Sequence, residues 1–168
     1  IFRGTPMIVQ SMVIFYGSAQ AFNISLDRTW AAIFIVSINT GAYMSEIVRG
    51  GILAVDTGQF EAATALGMTH GQTMRKVVLP QVVRNILPAT GNEFVINIKD
   101  TSVLNVISVV ELYFTGNTVA TQNYQYFPTF TIIAVIYFIL TFTITRILRY
   151  IERRLDSCLL YTSDAADD

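Results

Sequence analysis

Long runs of residues without a charge alternate with polar segments along this chain. Residues 4–26, 29–45 and 127–145 contain no Asp, Glu, Lys or Arg, and each run is dominated by apolar side chains. A helix needs about 20 mostly apolar residues to cross a bilayer, so each run is close to the required length. These three runs predict membrane-spanning helices.

A fourth apolar stretch, residues 82–114, is interrupted. Pro88 and Gly91 break its pattern, and it contains charged residues, Glu93, Lys99, Asp100 and Glu111 among them. Ionisable groups are costly in lipid, so a crossing of this kind must face protein or a water-filled cavity. With this stretch the sequence predicts an all-α, polytopic transmembrane helical bundle with about four spans.

The polar segment at about 55–81 does not read as a span. Asp56 with Gln59, and Thr69 with Gln72, have the spacing of capping boxes that begin helices. Gly67 is suited to end the first helix in a left-handed conformation, and Pro80 is expected to end the second near Leu79. We predict two short helices outside the bilayer, with Phe60, Ala63 and Leu66 as one buried stripe of the first.

The basic residues predict the orientation. Arginines and lysines cluster in residues 46–84 and after residue 145, whereas residues 113–127, which we interpret as a loop, contain none. By the positive-inside rule, segment 55–81 and the C-terminus are cytoplasmic and residues 113–127 are outside. Glu46 and Arg49 lie three residues apart, and we expect them to pair on one helix face.

Composition agrees with a membrane location and excludes several functions. Apolar residues make up 52% of the chain and charged residues 14%, with a net charge of −1. An acidic chain gives no reason to expect nucleic-acid binding, which also argues against a helix-turn-helix in segment 55–81. One Cys and one His provide no metal-ligand set. We find no phosphate-binding G-x-x-x-x-G-K-[ST] loop and no nucleophile–base pair, so no enzyme activity is expected.

The cytoplasmic segment also contains a specific motif. It reads Glu61-Ala62-Ala63, then Gly67, then Val77, Leu79 and Pro80. This pattern resembles the EAA loop of ABC importer permeases. Residues 2–6, 41–52, 58–63, 99–102 and 151–155 are similar to the polar amino-acid permeases of the histidine, glutamine and arginine group, and the resemblance covers roughly residues 1–155.

The resemblance implies a type I ABC importer permease fold in the bacterial plasma (inner) membrane. Such subunits have five helices, so we expect this chain to lack the first. It implies cytoplasmic ATPase subunits that bind ATP and Mg, a second permease subunit and an extracytoplasmic amino-acid-binding protein, with no cofactor on this chain. The residues expected to couple transport to the ATPase are Gly58, Gln59, Glu61, Ala62, Ala63, Gly67, Leu79 and Pro80.

A second group of polar residues has two interpretations. One is that it lines the translocation path, with Asn92, Glu93, Lys99, Asp100, Thr101 and Ser102 as its members. The other is that Lys99 and Asp100 pair with each other or cap a broken helix end. An alternative function follows from the first interpretation: an ATPase-independent channel or secondary transporter that uses Glu93, Lys99 and Asp100.

The character of the chain changes after Leu155. Residues 156–168 have no hydrophobic periodicity and end in acidic residues. We expect residues 1–155 to form the transmembrane permease domain and residues 156–168 to be a non-native or disordered tail.

Overall fold

A computed structural model describes the backbone of residues 2–164 and the side chains of residues 3–153. Every regular element in this part of the chain is helical. After a short turn at Phe2–Gly4 the helices are α1 (Met7–Phe22), α2 (Arg28–Leu53), α3 (Thr57–Ala65), α4 (His70–Thr73), α5 (Leu79–Asp100), α6 (Leu112–Asn123) and α7 (Tyr126–Asp164). A π-helical turn (Met74–Val78) joins α4 to α5, and a 3₁₀ segment (Thr101–Ile107) follows α5.

Two helices are long and apolar enough to cross a membrane, Arg28–Leu53 and Tyr126–Arg153. A third crossing results if His70–Ile107 and Leu112–Asn123, which are bent by 55°, are one broken span. Met7–Phe22 is apolar but has only 16 residues, which is about 24 Å of helix. The predicted four spans therefore require both the bent pair and this short helix to cross.

The described residues form two compact units. The first contains the chain up to residue 43 and residues 94–144, and the second contains residues 44–93 and the chain from residue 145. In the first unit Ala31, Ala32 and Ile35 of α2 pack with Leu104 and Ile107 of the 3₁₀ segment. Small alanines let these elements approach closely, so the 3₁₀ segment is part of the core rather than a surface turn.

The core of the second unit is formed by residues of segment 55–81 and of the helices next to it. Val55, Val78 and Val82 are buried together, and partly buried hydrophobic residues from α2, α3 and α5 pack around them. Gly51 lies so close to Ile86 that a Cβ at position 51 would overlap its side chain. The core therefore joins the end of α2 and α3 to the start of α5.

Helix α5 corrects the prediction that residues 82–114 are interrupted at Pro88 and Gly91. Pro88 and Gly91 do not interrupt it, because α5 runs from Leu79 to Asp100 with Pro88 inside. A proline is tolerated within a membrane helix where neighbouring groups satisfy the freed backbone. The break comes later, after Asp100, where the 3₁₀ segment ends at Ser108 with φ +61°.

The prediction of a loop at residues 113–127 is also wrong, whereas their location outside the membrane stays a prediction. Most of it forms α6, which begins beside Glu111 and ends at Tyr124, a residue with φ +58°. The Glu111 carboxylate accepts hydrogen bonds from the amides of Tyr113 (2.7 Å) and Phe114 (2.6 Å) and from the Tyr137 hydroxyl (3.0 Å). A strong N-cap and packing on α7 thus form a helix from a sequence with little apolar periodicity.

The start of the predicted tail belongs to α7, which continues to Asp164. The side chains of residues 154–164 lie outside the described residues, as does the end of the chain at residues 165–168. The non-native origin of residues 156–168 stays a prediction.

Candidate functional site

Helix α3, which carries the Glu61-Ala62-Ala63 motif, begins at a side-chain cap. The Asp56 carboxylate accepts a hydrogen bond from the amide of Gly58 at 2.6 Å. This satisfies one of the amides that a helix N-terminus leaves without a partner. The predicted capping box is incomplete, because the Gln59 side chain contacts Gln81 instead of returning to Asp56.

Gly67 ends α3 as predicted. Its φ is +76°, and its amide donates to the Thr64 carbonyl at 2.9 Å. The amide of Met68 donates to the Ala63 carbonyl at 3.0 Å. Together these bonds form a Schellman motif, in which glycine takes the left-handed position without steric cost.

The second capping box is confirmed at α4. The amide of Thr69 donates to Gln72 Oε1 (2.9 Å), and the amide of Gln72 donates to Thr69 Oγ1 (3.4 Å). The helix does not end before Pro80, however, because the π turn carries it into α5. The amide of Leu79 bonds back to the Met74 carbonyl. This wider turn accommodates a proline that would interrupt a regular α-helix.

Helix α3 has one face in the core and one face outside it. Ala63 is only 3% exposed, and Phe60 packs against the core of the second unit. Leu66 is 82% exposed, so the predicted stripe of Phe60, Ala63 and Leu66 is wrong at its third member. The reason is that α3 ends at Ala65, and Leu66 already lies in the Schellman turn.

Five exposed residues of α3 and of the turn that follows it are spaced at intervals of three and four. We call them the outer face of α3, and they are Gly58, Glu61, Ala62, Ala65 and Leu66; Thr57, Gln59 and Thr64 are exposed as well, to either side of it. Such spacing places all five on one side of a helix. The motif is therefore divided: Glu61 and Ala62 are on the outer face, whereas Ala63 is in the core. Leu79 and Pro80, the end of the motif, are exposed at the start of α5.

The second predicted group is divided between the two units. Asn92 and Glu93 belong to the second unit, whereas Lys99 to Ser102 belong to the first. Lys99 and Asp100 are both exposed. Within the described residues the two side chains do not pair, and Asp100 caps no amide. The pairing and capping interpretation of these two residues is therefore wrong.

Thr101 and Ser102 have local partners. The Thr101 hydroxyl donates to the Ile98 carbonyl at 2.9 Å, and the Ser102 carbonyl accepts from the Asn105 side chain at 3.0 Å. These bonds stabilise the change from α5 to the 3₁₀ segment. The hydroxyl of Thr40 on α2 also donates to Asn97 Oδ1 at 3.0 Å, which ties α5 to α2 just before Lys99.

Glu46 and Arg49 pair as predicted. Arg49 Nε donates to Glu46 Oε2 at 3.1 Å, and both side chains are partly exposed. No group of three or more His, Cys, Asp and Glu side chains that could hold a metal ion occurs among the described residues.

Sequence reasoning missed one residue of this region, Gln81. Its Nε2 donates to the Val77 carbonyl of the π turn at 3.0 Å and to Gln59 Oε1 of α3 at 3.4 Å. A polar side chain directly after Pro80, in an otherwise apolar segment, was the available signal.

Known proteins resemble this chain over most of its length. It is 38% identical over 157 residues to the arginine transport system permease protein of Bacillus subtilis strain 168, covering 94% of this chain and 72% of that protein. It is 41% identical over 156 residues to the glutamine transport system permease protein of Escherichia coli K12, covering 92% and 71%.

Solved structures agree. The chain superposes on a crystal structure of an amino acid ABC transporter with histidines with a TM-score of 0.86 at 43% identity, covering 91% of this chain and 71% of that one. The MetNI methionine ABC transporter gives a TM-score of 0.77 at 21% identity, covering 92% and 70%, which supports the fold. Residues 1–157 match the family described as the inner membrane component of binding-protein-dependent transport systems. The chain belongs to this family of permease subunits.

Proposed function

We propose that this chain is the membrane-spanning permease subunit of an ATP-driven importer that translocates polar amino acids, coupled to a separate ATPase through segment 55–81. The observation that carries the proposal is the outer face of α3. It exposes three small residues, Gly58, Ala62 and Ala65, with Glu61 among them and Leu66 at its end. Relatives named as arginine and glutamine permeases support the substrate class.

The outer face is suited to a partner protein rather than to water alone. Gly58, Ala62 and Ala65 have little or no side chain, so another backbone can approach α3 closely. Leu66 is 82% exposed and supplies an apolar contact. A short helix that lays such a face into a groove is a common mode of recognition. The ATPase that binds ATP and Mg is the partner we assign to this face.

The remaining coupling residues support α3 or follow it. Ala63 anchors the helix in the core, and Gly67 forms the turn into α4. Leu79 and Pro80 mark the start of α5. The backbone and the packing of the core therefore connect the outer face to α5. Such a connection is needed if a movement of the ATPase is to reach α5.

The orientation and the other partners follow from the same proposal. Segment 55–81 and the C-terminus are cytoplasmic, and the subunit lies in the bacterial plasma membrane. A second permease subunit, identical or homologous, completes the membrane part, and an extracytoplasmic binding protein delivers the amino acid. We further propose that Asn92, Glu93, Lys99, Asp100, Thr101 and Ser102 line the path. Exposed Lys99 and Asp100 support this, because a charge facing lipid is costly.

The proposal predicts that Leu66→Glu weakens binding of the ATPase, because it places a charge in the apolar contact. The full transporter is reconstituted in vesicles with its ATPase and binding protein, and co-purification and ATP-dependent amino-acid uptake are measured. Losing a buried apolar contact of this size corresponds to about 2 kcal/mol, or about 30-fold in affinity. The matched control is Thr64→Glu, which adds the same charge to α3 away from the outer face.

The two variants together test whether the ATPase binds the outer face of α3. Loss of the ATPase with Leu66→Glu and retention with Thr64→Glu support the assignment. Normal ATPase binding and normal uptake with Leu66→Glu would contradict it. Uptake that needs no ATP in the unmodified transporter would instead favour the ATPase-independent channel.

A further inference from the structure

Segment 55–81 consists of two pieces that must move together if α3 couples transport to an ATPase. One piece is α3 itself, and the other is the continuous helical path of α4, the π turn and α5. Backbone connects them only through the turn at Gly67 and Met68. Side-chain contacts must therefore fix α3 on the second piece.

The apolar contacts hold α3 in place but define its rotation poorly. Phe60 packs against Val78 and its neighbours in the core of the second unit, and Ala63 is buried. Hydrophobic contact is non-directional, and Ala63 presents a single methyl group. A small rotation of α3 about its axis costs little against such a surface.

A directional contact exists beside this core, between Gln59 of α3 and Gln81 of α5. Gln81 Nε2 donates to Gln59 Oε1 at 3.4 Å and to the Val77 carbonyl at 3.0 Å. A primary amide has two N–H groups, so both bonds can form at once. We call this arrangement the amide bridge, consisting of Gln59, Gln81 and the Val77 carbonyl.

The bond to Val77 gives the amide bridge its direction. It holds the Gln81 side chain along its own helix, while the same amide nitrogen donates to Gln59 of α3. Val77 belongs to the π turn directly ahead of Pro80. Such turns are frequent at functional sites in helices. Gln81 is thus attached to the one irregular turn between α4 and α5.

We propose that Gln81 is a positioning residue that fixes the rotation of α3 on the helix leading into α5, so that movement of the ATPase at α3 reaches α5 without loss. The proposal rests on the proposed function of segment 55–81. Gln81 contacts neither the outer face of α3 nor the proposed path. It acts through Gln59 and the π turn.

The test measures the amount of amino acid taken up per ATP hydrolysed. The full transporter, with its ATPase and binding protein, is reconstituted in vesicles with Gln81→Met, which keeps the length of the side chain and removes both bonds. We expect uptake per ATP to fall about fivefold, as for the net loss of one hydrogen bond, with ATP hydrolysis and assembly retained. Asn85→Leu is the matched control, since it removes an exposed amide one turn later on α5.

Gln59→Met provides the second measurement. It removes only the bond between the helices, so uptake per ATP is expected to fall by a smaller factor. In the double variant the loss should be no greater than with Gln81→Met alone, because the two residues act through one contact. If Gln81→Met does not assemble, Gln59→Met decides the question by the same ratio.

The proposal is overturned if Gln81→Met and Gln59→Met transport as much amino acid per ATP as the unmodified protein. It is equally overturned if uptake and ATP hydrolysis fall in the same proportion as the amount of assembled complex, since Gln81 then serves folding alone. Failure of the proposed function has a different result. The unmodified transporter would show no dependence of uptake on ATP.

Discussion

Two short helices of similar appearance, α3 and α6, are held in different ways. Each starts at an acidic cap, Asp56 for α3 and Glu111 for α6. The Asp56 side chain binds a single amide, whereas the Glu111 carboxylate accepts two amides and the Tyr137 hydroxyl. Helix α3 rests on apolar side chains and an amide contact, whereas α6 approaches α7 without space for a Cβ at Gly116.

This difference indicates different tasks. Helix α6 packs with a buried glycine, Gly116, against Ile133 of α7, and its Ala120 is fully buried. Helix α3 exposes most of its residues and ends in a single left-handed glycine. Elements that move in function come from the less stable parts of a fold. We therefore expect changes at α6 to affect folding and changes at α3 to affect coupling.

The largest expected effect is on the contact of α6 with α7. In Gly116→Leu the new side chain overlaps Ile133, and we expect the protein to lose about 3 kcal/mol of stability or more. Thermal unfolding of the purified transporter in detergent measures the loss. Gly17→Leu is the control, because a Cβ at that glycine of α1 has no atom within 4 Å. Equal melting temperatures of the two variants would show that α6 is not held by close approach.

The next effect is on the cap of α6. Glu111→Ala leaves the amides of Tyr113 and Phe114 and the Tyr137 hydroxyl without their acceptor, which we expect to cost about 2 kcal/mol. Tyr137→Phe removes only one of the three bonds and should cost about 1 kcal/mol. The same melting experiment compares both. If Tyr137→Phe were as damaging as Glu111→Ala, the cap would contribute nothing of its own.

The contrast between α3 and α6 also explains what the sequence could predict. Both ends of α3 and the start of α4 are predictable because Asp56, Gly67 and Thr69 act on backbone groups within a few residues. Helix α6 was mistaken for a loop because its stabilising contacts, to Ile133 and Tyr137, come from a distant part of the chain. Its buried residues, Gly116 and Ala120, are small and stand among polar residues, so they produce no apolar pattern.

Local rules also fail for the course of α5. Pro88 predicts an interruption from local rules, yet the helix continues to Asp100. The polar side chain of Gln81 after Pro80 is visible in the sequence, but its partner is not, since Gln59 is 22 residues away. The family motif identified α3 as important, but which of its residues face outward depends on the core around Val78.

The smallest expected effect separates the two caps directly. Asp56→Ala removes a single bond at an exposed helix start, and we expect about 1 kcal/mol, seen as about fivefold faster hydrogen exchange of the first amides of α3. Asp56→Asn keeps an acceptor and should exchange like the unmodified protein. The amides of α6 should be unaffected by either change, because α6 has its own cap and its own packing on α7. Faster exchange in both helices would mean that they unfold as one cooperative unit, and the difference between a helix that moves and a helix that is fixed would not hold.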